Sequence, residues 1–437
     1  MNTTIKEVLS FAEENDVKFI RLSFCDMFGV HKNISIMSDE LESAFKNGIP
    51  FDANAISDFC DITRSDLLLF PDPGTPEILP WRPGSGRVLR FYCDIKNPDG
   101  SPFCNDSRWI LKQVIRRAEE KGYICKIGAE FEFYLFKTDE NGEPTDITVD
   151  KGGYLDIPPL DKCEDIRREI CLTLEEMGIK PESSHHERGP GQNEIDFRFG
   201  DALTCADNFQ AFKSVVMAIA ARNGLYASFL PKPIANTAGN GMHVNLSLSL
   251  KNSGRNIFKN IGETEDGVVS ASGDGHSEAV GSFIAGILEK VPEMTMFLNP
   301  IINSYERLGE FEAPKYVSWS HRNRSQLIRI PAAVEERARM ELRSPDPSVN
   351  PYIAFALIIA AGLDGIERGL KLPPPVDADL YTAKESVTDS LALLPKDLEE
   401  AVNFGEKSEF IKSVIGEEFH EKYVAAKRKE VAQWKTR

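Results

Sequence analysis

The stretch GAEFEFYLF, residues 128–136, carries the question on which the fold turns. On a strand, successive side chains point to opposite faces. Ala129, Phe131, Phe133 and Leu135 then make one apolar face, while Glu130 and Glu132 stand side by side on the other, followed by Tyr134 and Phe136. Two carboxylates on one face of an otherwise apolar strand have two readings. Either the face meets water, the ordinary case for an isolated E-x-E, or it lines a cation site, because packed carboxylates otherwise repel or take up protons. One strand does not decide between them.

Three further segments repeat the pattern. GMHVNLSLS (241–249) sets Val244, Leu246 and Leu248 against His243, Asn245, Ser247 and Ser249. QNEIDFRF (192–199) sets Ile195 and Phe197 against Glu194, Asp196 and Arg198, and RMELRS (339–344) sets Met340 and Leu342 against Arg339, Glu341 and Arg343. Each alone reads as a half-solvated strand. Four polar faces rich in Glu, His and Arg fit one sheet lining a funnel better than four unrelated surfaces.

The frame around these strands is that of a large chain of 437 residues, enough for a sizeable core and more than one domain. With 51 basic against 68 acidic residues the net charge is −17, which excludes nucleic acid and anionic membrane as expected partners. Arginines nonetheless collect between residues 307 and 343. Eight scattered cysteines without a C-x-x-C pair point to a reducing compartment rather than a disulfide framework or zinc module. The start, MNTTIKEVLSFAEEN, has no signal-peptide pattern, and the longest apolar run, YIAFALIIAAGL (352–363), is too short to span a bilayer and reads as a buried helix. A cytoplasmic protein is expected.

Along the chain, helices are expected over residues 5–15, 107–121, about 160–178, 396–404 and 407–433, with strands in KFIRLSFCD and RVLRFYCDI and a Pro/Gly-rich connection over 70–86. The turn-rich KNPDGSPFCND (96–106) is the expected boundary between a domain of residues 1–100 and a larger one of residues 101–437. Strands separated by irregular helices, with neither a βαβ beat nor G-x-G-x-x-G, predict an α+β fold.

Five glutamates (130, 132, 187, 194 and 341) and His243 can supply two sets of three ligands. Such oxygen-rich sites favour Mg²⁺ or Mn²⁺ over zinc. Arginine beside them suits phosphoryl transfer, which needs cations on the phosphates and spread charge neutralised. HHE (185–187) alone reads equally as a surface cluster, and H-E-x-x-H is absent.

The ordered series EFEFYLF, HHERGPGQNE, GNGMHVNLSL, NPIINSYERLGEFEAP, NRSQLIRIP and RMELRSPDPSVNPYIAFA resembles type I glutamine synthetase over nearly the whole chain. The resemblance implies a small β-grasp N-terminal domain and a catalytic domain whose curved antiparallel sheet forms a funnel-shaped site. It further implies hexameric rings with active sites between adjacent subunits. By motif, Glu132, Glu187 and Glu194 would hold one Mg²⁺ or Mn²⁺ near glutamate. Glu130, His243 and Glu341 would hold a second, against the phosphates of ATP. Arg307 and Arg343 would take the carboxylates of glutamate, with the Gly239 backbone near its amino group. Arg324 and Arg329 would face the phosphates, and Glu182, Asn245, Ser247 and Arg339 would lie along the nucleotide. Asp52 from the neighbouring subunit would deprotonate ammonium in a pocket completed by Tyr154 and Glu187, and Glu312 would close over the γ-glutamyl phosphate intermediate.

Four departures from the family pattern stand out. FDANA replaces FDGSS, so Asp52 is kept but a serine becomes Ala55, removing a hydrogen bond worth roughly 0.5–1.5 kcal/mol. Ala238 stands where an asparagine is expected, and the flap between Arg307 and Glu312 is one residue short. The chain stops at AAKRKEVAQWKTR, where relatives continue into a tail threading the opposite ring, so the ring is expected and its stacking into a dodecamer is left open. Tyr381, near the family's adenylylation position, lacks the surrounding pattern and reads as an ordinary exposed tyrosine. The expected reaction is ligation of ammonia to the γ-carboxylate of glutamate at the expense of ATP. Two alternatives remain: a γ-glutamyl ligase taking an organic amine of the polyamine or ethanolamine type, and an inactive structural relative.

Overall fold

The computed structural model describes residues 4–81, 85–258, 277–332 and 335–436, so residues 82–84 of the Pro/Gly-rich connection lie outside it. Two sheets organise the chain. The first runs in the order His31–Met37, Val17–Cys25, Arg87–Lys96, Asp66–Pro71, Ile49–Asp52, with Glu77–Ile78 also paired to Arg87–Lys96. Val17–Cys25 and Arg87–Lys96 are parallel and the other pairs antiparallel, the β-grasp arrangement. Ile20, Leu22, Leu67, Leu69, Leu89 and Phe91 form its core.

The second sheet has ten strands built on the 16-residue Tyr123–Thr138. Its main path is Trp319–His321, Ile328–Ile330, Met340–Leu342, Met242–Leu250, Tyr123–Thr138, Gln192–Phe197, Pro181–His186. The four strands singled out by their polar faces are therefore consecutive. Only Trp319–His321 and Ile328–Ile330 pair in parallel among the described strands of this sheet; the other pairings are antiparallel. The apolar faces are buried together. Phe131 packs on Phe209 at 4.7 Å and Phe212 at 5.2 Å, both from helix Ala202–Arg222, and on Phe197 at 5.1 Å. That burial fixes which way the sheet faces: a one-residue slip would put the phenylalanines where the glutamates are.

The helices follow their local signals. Ile5–Glu14 starts at a Thr4 capping box, and Asp106 caps Ser107–Glu120. Glu164–Glu176 is shorter than the expected 160–178. The expected helix over 407–433 is two, Glu409–Ile415 and Glu417–Lys435, because Gly416 takes φ 86° and breaks the ladder. The run 352–363 lies in Pro351–Arg368, capped by Asn350 and stopped by left-handed Gly369, and is almost wholly buried. Among the described residues no helix is long and apolar enough to cross a membrane. The two sheets are tied by Arg108, which grips Asp207 through two bonds (3.1 and 2.9 Å) and also reaches Asp94 and Asp72, each at 2.9 Å.

Candidate active site

Sheet register assembles the site. His243 and Asp196 stand opposite Glu130 on either side of the central strand, and Glu194 stands opposite Glu132. Glu341 pairs with Asn245 one strand further on. His243 Nδ1 lies 3.1 Å from a Glu130 carboxylate oxygen and 3.6 Å from Glu341, and one ligand atom from each of the three comes within 4.8 Å of the others. Asn245 donates to Glu130 at 2.9 Å and accepts from Arg339 at 2.7 Å. Glu341 is fully buried and held by the guanidinium groups of Arg329 and Arg343.

The other expected set comes together differently. Glu187 and Glu194 cluster with His185, whose Nε2 lies 3.5 Å from Glu187 and 3.8 Å from Glu194. Glu132 lines the same cavity, but its carboxylate accepts from the Gly241 N–H at 2.8 Å and from Gln192 at 3.1 Å. His185 was legible only as part of HHE, a motif equally at home on a surface. Tyr154, half exposed, packs edge-on against it at 5.4 Å. A third cluster, Asp150, Asp161 and Cys163, is saturated internally: Asp150 accepts from His186 and three backbone N–H groups, and Asp161 pairs with Arg167.

The electrostatics favour cations. Burial, followed by the Glu187 charge, pushes Glu132 up to about 8. Burial and the charges of Asp196, Glu132 and Glu130 raise Glu194 well above the carboxylate range, and burial and Glu130 lift Asp196 to about 7. Burial also acts on Glu130, but hydrogen bonds from His243 and Asn245 outweigh it and hold that carboxyl at about 2. A buried group of acids that repel one another, with imidazoles at its edges, fits hard divalent cations such as Mg²⁺ or Mn²⁺.

A cavity of about 470 Å³ gathers Glu130, Glu132, Tyr154, Glu187, Glu194, Gly239, His243, Arg307, Glu312, Arg324, Arg329, Arg339 and Arg343. Arg307 is fixed by donating to the Ser344 and Arg343 carbonyls at 2.8 and 3.1 Å. A Cβ on Gly239 would stand 2.4 Å from the Pro231 carbonyl, so only glycine fits there. Glu182, Asn245 and Arg339 line an adjoining cavity of about 370 Å³. Ser247 is buried further along the same strand, opposite Lys126, and lines neither cavity. Asp52 is also outside them. It is exposed and caps a short turn, accepting from the Asn54 N–H at 3.0 Å. Tyr381 is exposed, as expected, and its hydroxyl also donates to the Ala313 carbonyl beside the flap at 3.1 Å.

Comparison with known proteins agrees with this architecture. The glutamine synthetase β-grasp domain model matches residues 16–98 and the glutamine synthetase catalytic domain model residues 104–437. Glutamine synthetase of Clostridium saccharobutylicum is 45% identical over 437 residues, covering 99% of this chain and 96% of that protein. Glutamine synthetase of Methanosarcina mazei is 45% identical over 436 residues, covering 99% and 95%. Among solved structures, a GmaS/ADP complex superposes with a TM-score of 0.87 at 31% identity, covering 98% of this chain and 96% of that one. Apo GmaS gives 0.87 at 32%, covering 99% and 97%. With both domain models matched in order along the chain, and with full-length relatives this similar, the protein belongs to the glutamine synthetase family of ligases.

Proposed function

We propose that the protein ligates ammonia to the γ-carboxylate of L-glutamate, consuming ATP through γ-glutamyl phosphate and releasing glutamine, ADP and phosphate. The observation that carries this reading is the convergence of two acid–histidine clusters with six arginines around one cavity. Glu130, His243 and Glu341 would hold one divalent cation, and Glu187 and Glu194, with Glu132 or His185, the other. When bound, the cations neutralise phosphate oxygens and make the γ-phosphorus open to attack.

The remaining work falls to side chains. Arg307 and Arg343 hold the carboxylates of glutamate, aiming its γ-carboxylate at the γ-phosphorus. Arg324 and Arg329 offset charge spreading over the transferred phosphoryl group. The nucleotide lies toward Glu182, Asn245 and Arg339, which line the adjoining cavity. Attack by a γ-carboxylate oxygen releases ADP; ammonia nitrogen then adds to the acyl carbon and phosphate leaves. Glu187 and Tyr154 shape an ammonium pocket, and Glu312 shuts out water. Asp52 is exposed on the β-grasp sheet, which suits a residue that takes the ammonium proton in a neighbouring subunit's site. That role supports a ring of subunits built from β-grasp and catalytic domains dividing near residue 100. The eight unpaired cysteines support a cytoplasmic setting.

A second reading, with an organic amine as acceptor, is favoured by Ala238 on the cavity wall and Ala55 beside Asp52. Family membership does not choose, because the sequence relatives are named glutamine synthetase and the solved neighbours GmaS. Phosphate release from ATP, glutamate and Mg²⁺ should depend on ammonium. Release with ethanolamine or a polyamine but not ammonium would establish the second reading, and silence with all of them would overturn both.

A further inference from the structure

We propose that Arg188 holds the Glu312 flap shut over the reacting carboxyl group, as a positioning residue for the ligase reaction proposed above, on which this inference rests. Arg188 follows Glu187 on the loop between strands Pro181–His186 and Gln192–Phe197. Its guanidinium lies 2.7 Å from the Glu312 carboxylate. Arg188 and Glu312 line both the ligand-bearing cavity and a second cavity of about 820 Å³. The pair is thus part of the lining that the two spaces share.

Backbone bonds from the Gly309 N–H to the Ala313 carbonyl at 3.2 Å and from the Ala313 N–H to the Glu310 carbonyl at 2.9 Å close the flap on itself, and contacts from outside hold its tip. Phe311 and Glu312 at that tip have φ values of 45° and 70°, two successive non-glycine residues in the left-handed region, a strained conformation that further contacts must help to maintain. Three of those contacts act on the flap's frame. Arg343 donates to the Glu312 carbonyl at 3.2 Å, Tyr381 to the Ala313 carbonyl at 3.1 Å, and Lys232 to the Glu310 carboxylate at 3.1 Å. Arg343 lies 3.9 Å from the Glu312 carboxylate and is already committed to Glu341. The close grip on the carboxylate itself comes from Arg188, across the cavity mouth. Arg188 is half exposed, so its loss opens the latch while the ligand clusters and the core stay in place.

The consequence is chemical. Water adding to the acyl carbon of γ-glutamyl phosphate breaks the carbon–oxygen bond to phosphate, returning glutamate and leaving ATP spent with no amide made. A flap ajar raises this loss relative to amide formation. A role confined to stability would change the amount of active enzyme and leave the ratio of amide to phosphate alone.

The test uses the full chain with Mg²⁺, ATP, glutamate and the amine that supports wild-type turnover. Arg188→Ala should lower amide formed per phosphate released several-fold and speed hydrogen exchange in residues 308–313. Arg188→Lys, which can still reach one carboxylate oxygen, should restore most of the ratio. An Arg188→Ala enzyme that makes as much amide per phosphate as wild type, or a lysine variant no better than alanine, would overturn the assignment. A wild-type enzyme silent with every amine would instead refute the reaction on which it rests.

Discussion

Loading the metal-free protein with Mn²⁺ should expel protons from one ligand set and not from the other. Burial and neighbouring acids hold Glu132 at about 8 and Glu194 well above the carboxylate range. Across the sheet, Glu130 is held at about 2, and burial with the nearby Arg343 lowers His243, so at pH 7 these two are already carboxylate and neutral imidazole. A divalent cation binds the carboxylate and not the acid. At pH 7 about nine-tenths of Glu132 carries a proton, so cation entry there releases nearly one proton and is weakened about elevenfold, roughly 1.4 kcal/mol. The sign follows: affinity of that set falls at least about tenfold for each pH unit below about 8, while Glu130 and His243 themselves add no slope near neutrality. Titration calorimetry with Mn²⁺ at pH 7, in two buffers of very different ionisation enthalpy, reads the protons released. Wild type should release at least about one proton per chain, and Glu132→Gln about one fewer. Equal apparent enthalpies in the two buffers would refute the assignment of Glu132 and Glu194 as protonated acids that must ionise to bind.

Other outcomes follow from the same structure. Phe131→Ala empties a fully buried site among Phe197, Phe209 and Phe212 and should cost about 3–5 kcal/mol by chemical denaturation, with Mn²⁺ binding weakened because Glu130 and Glu132 flank it. Gly241→Ala would bring a Cβ to 2.7 Å from Arg307 Nη2 and 2.8 Å from His243 Nε2, and steady-state kinetics should show kcat/KM for glutamate falling about tenfold or more. Burial and the Asp94 charge push Asp106 up to about 7. The folded chain therefore keeps a proton that the unfolded chain has lost, and stability falls as pH rises between about 4 and 7 and levels off above. Asp106→Asn retains the helix cap and should flatten that slope by up to about 1.4 kcal/mol per pH unit, read by urea denaturation across the range.

What the sequence disclosed was whatever a short period encodes. Alternation at 128–136, 192–199, 241–249 and 339–344 named the apolar and polar faces of four strands, and Phe131, Ile195, Val244 and Met340 are fully buried; that Glu132, Glu194, His243 and Glu341 on the polar faces are buried as well was not legible in the alternation. Pairing across distant segments was not encoded locally, and so neither was the grouping of His185 with Glu187 and Glu194. Arg188 carried no signal of its own in the sequence, because Glu312 is brought to it only by the fold. Gly416 was visible, but a lone glycine in a helical run is often tolerated, and only its left-handed backbone makes it a break. Asp52 is the converse case. Residue-level reading gives a turn cap, and within one chain it is that, while its proposed work needs a second subunit.

The question raised by two glutamates on one strand face now has a geometric answer. Residues two apart on a strand are separated by about 6.8 Å, so Glu130 and Glu132 fall in adjacent rows of the sheet. The Glu130 row contains His243 and Asp196, and the row next to it contains Glu194. Each row recruits its own partners, and the strand's repeat sets the spacing between two ligand clusters that share a wall. Phe131, between them, points the other way and is clamped by three aromatic rings. The apolar face is therefore what holds the two carboxylates at that spacing against their mutual repulsion, which is why an apolar strand is the right place to mount them.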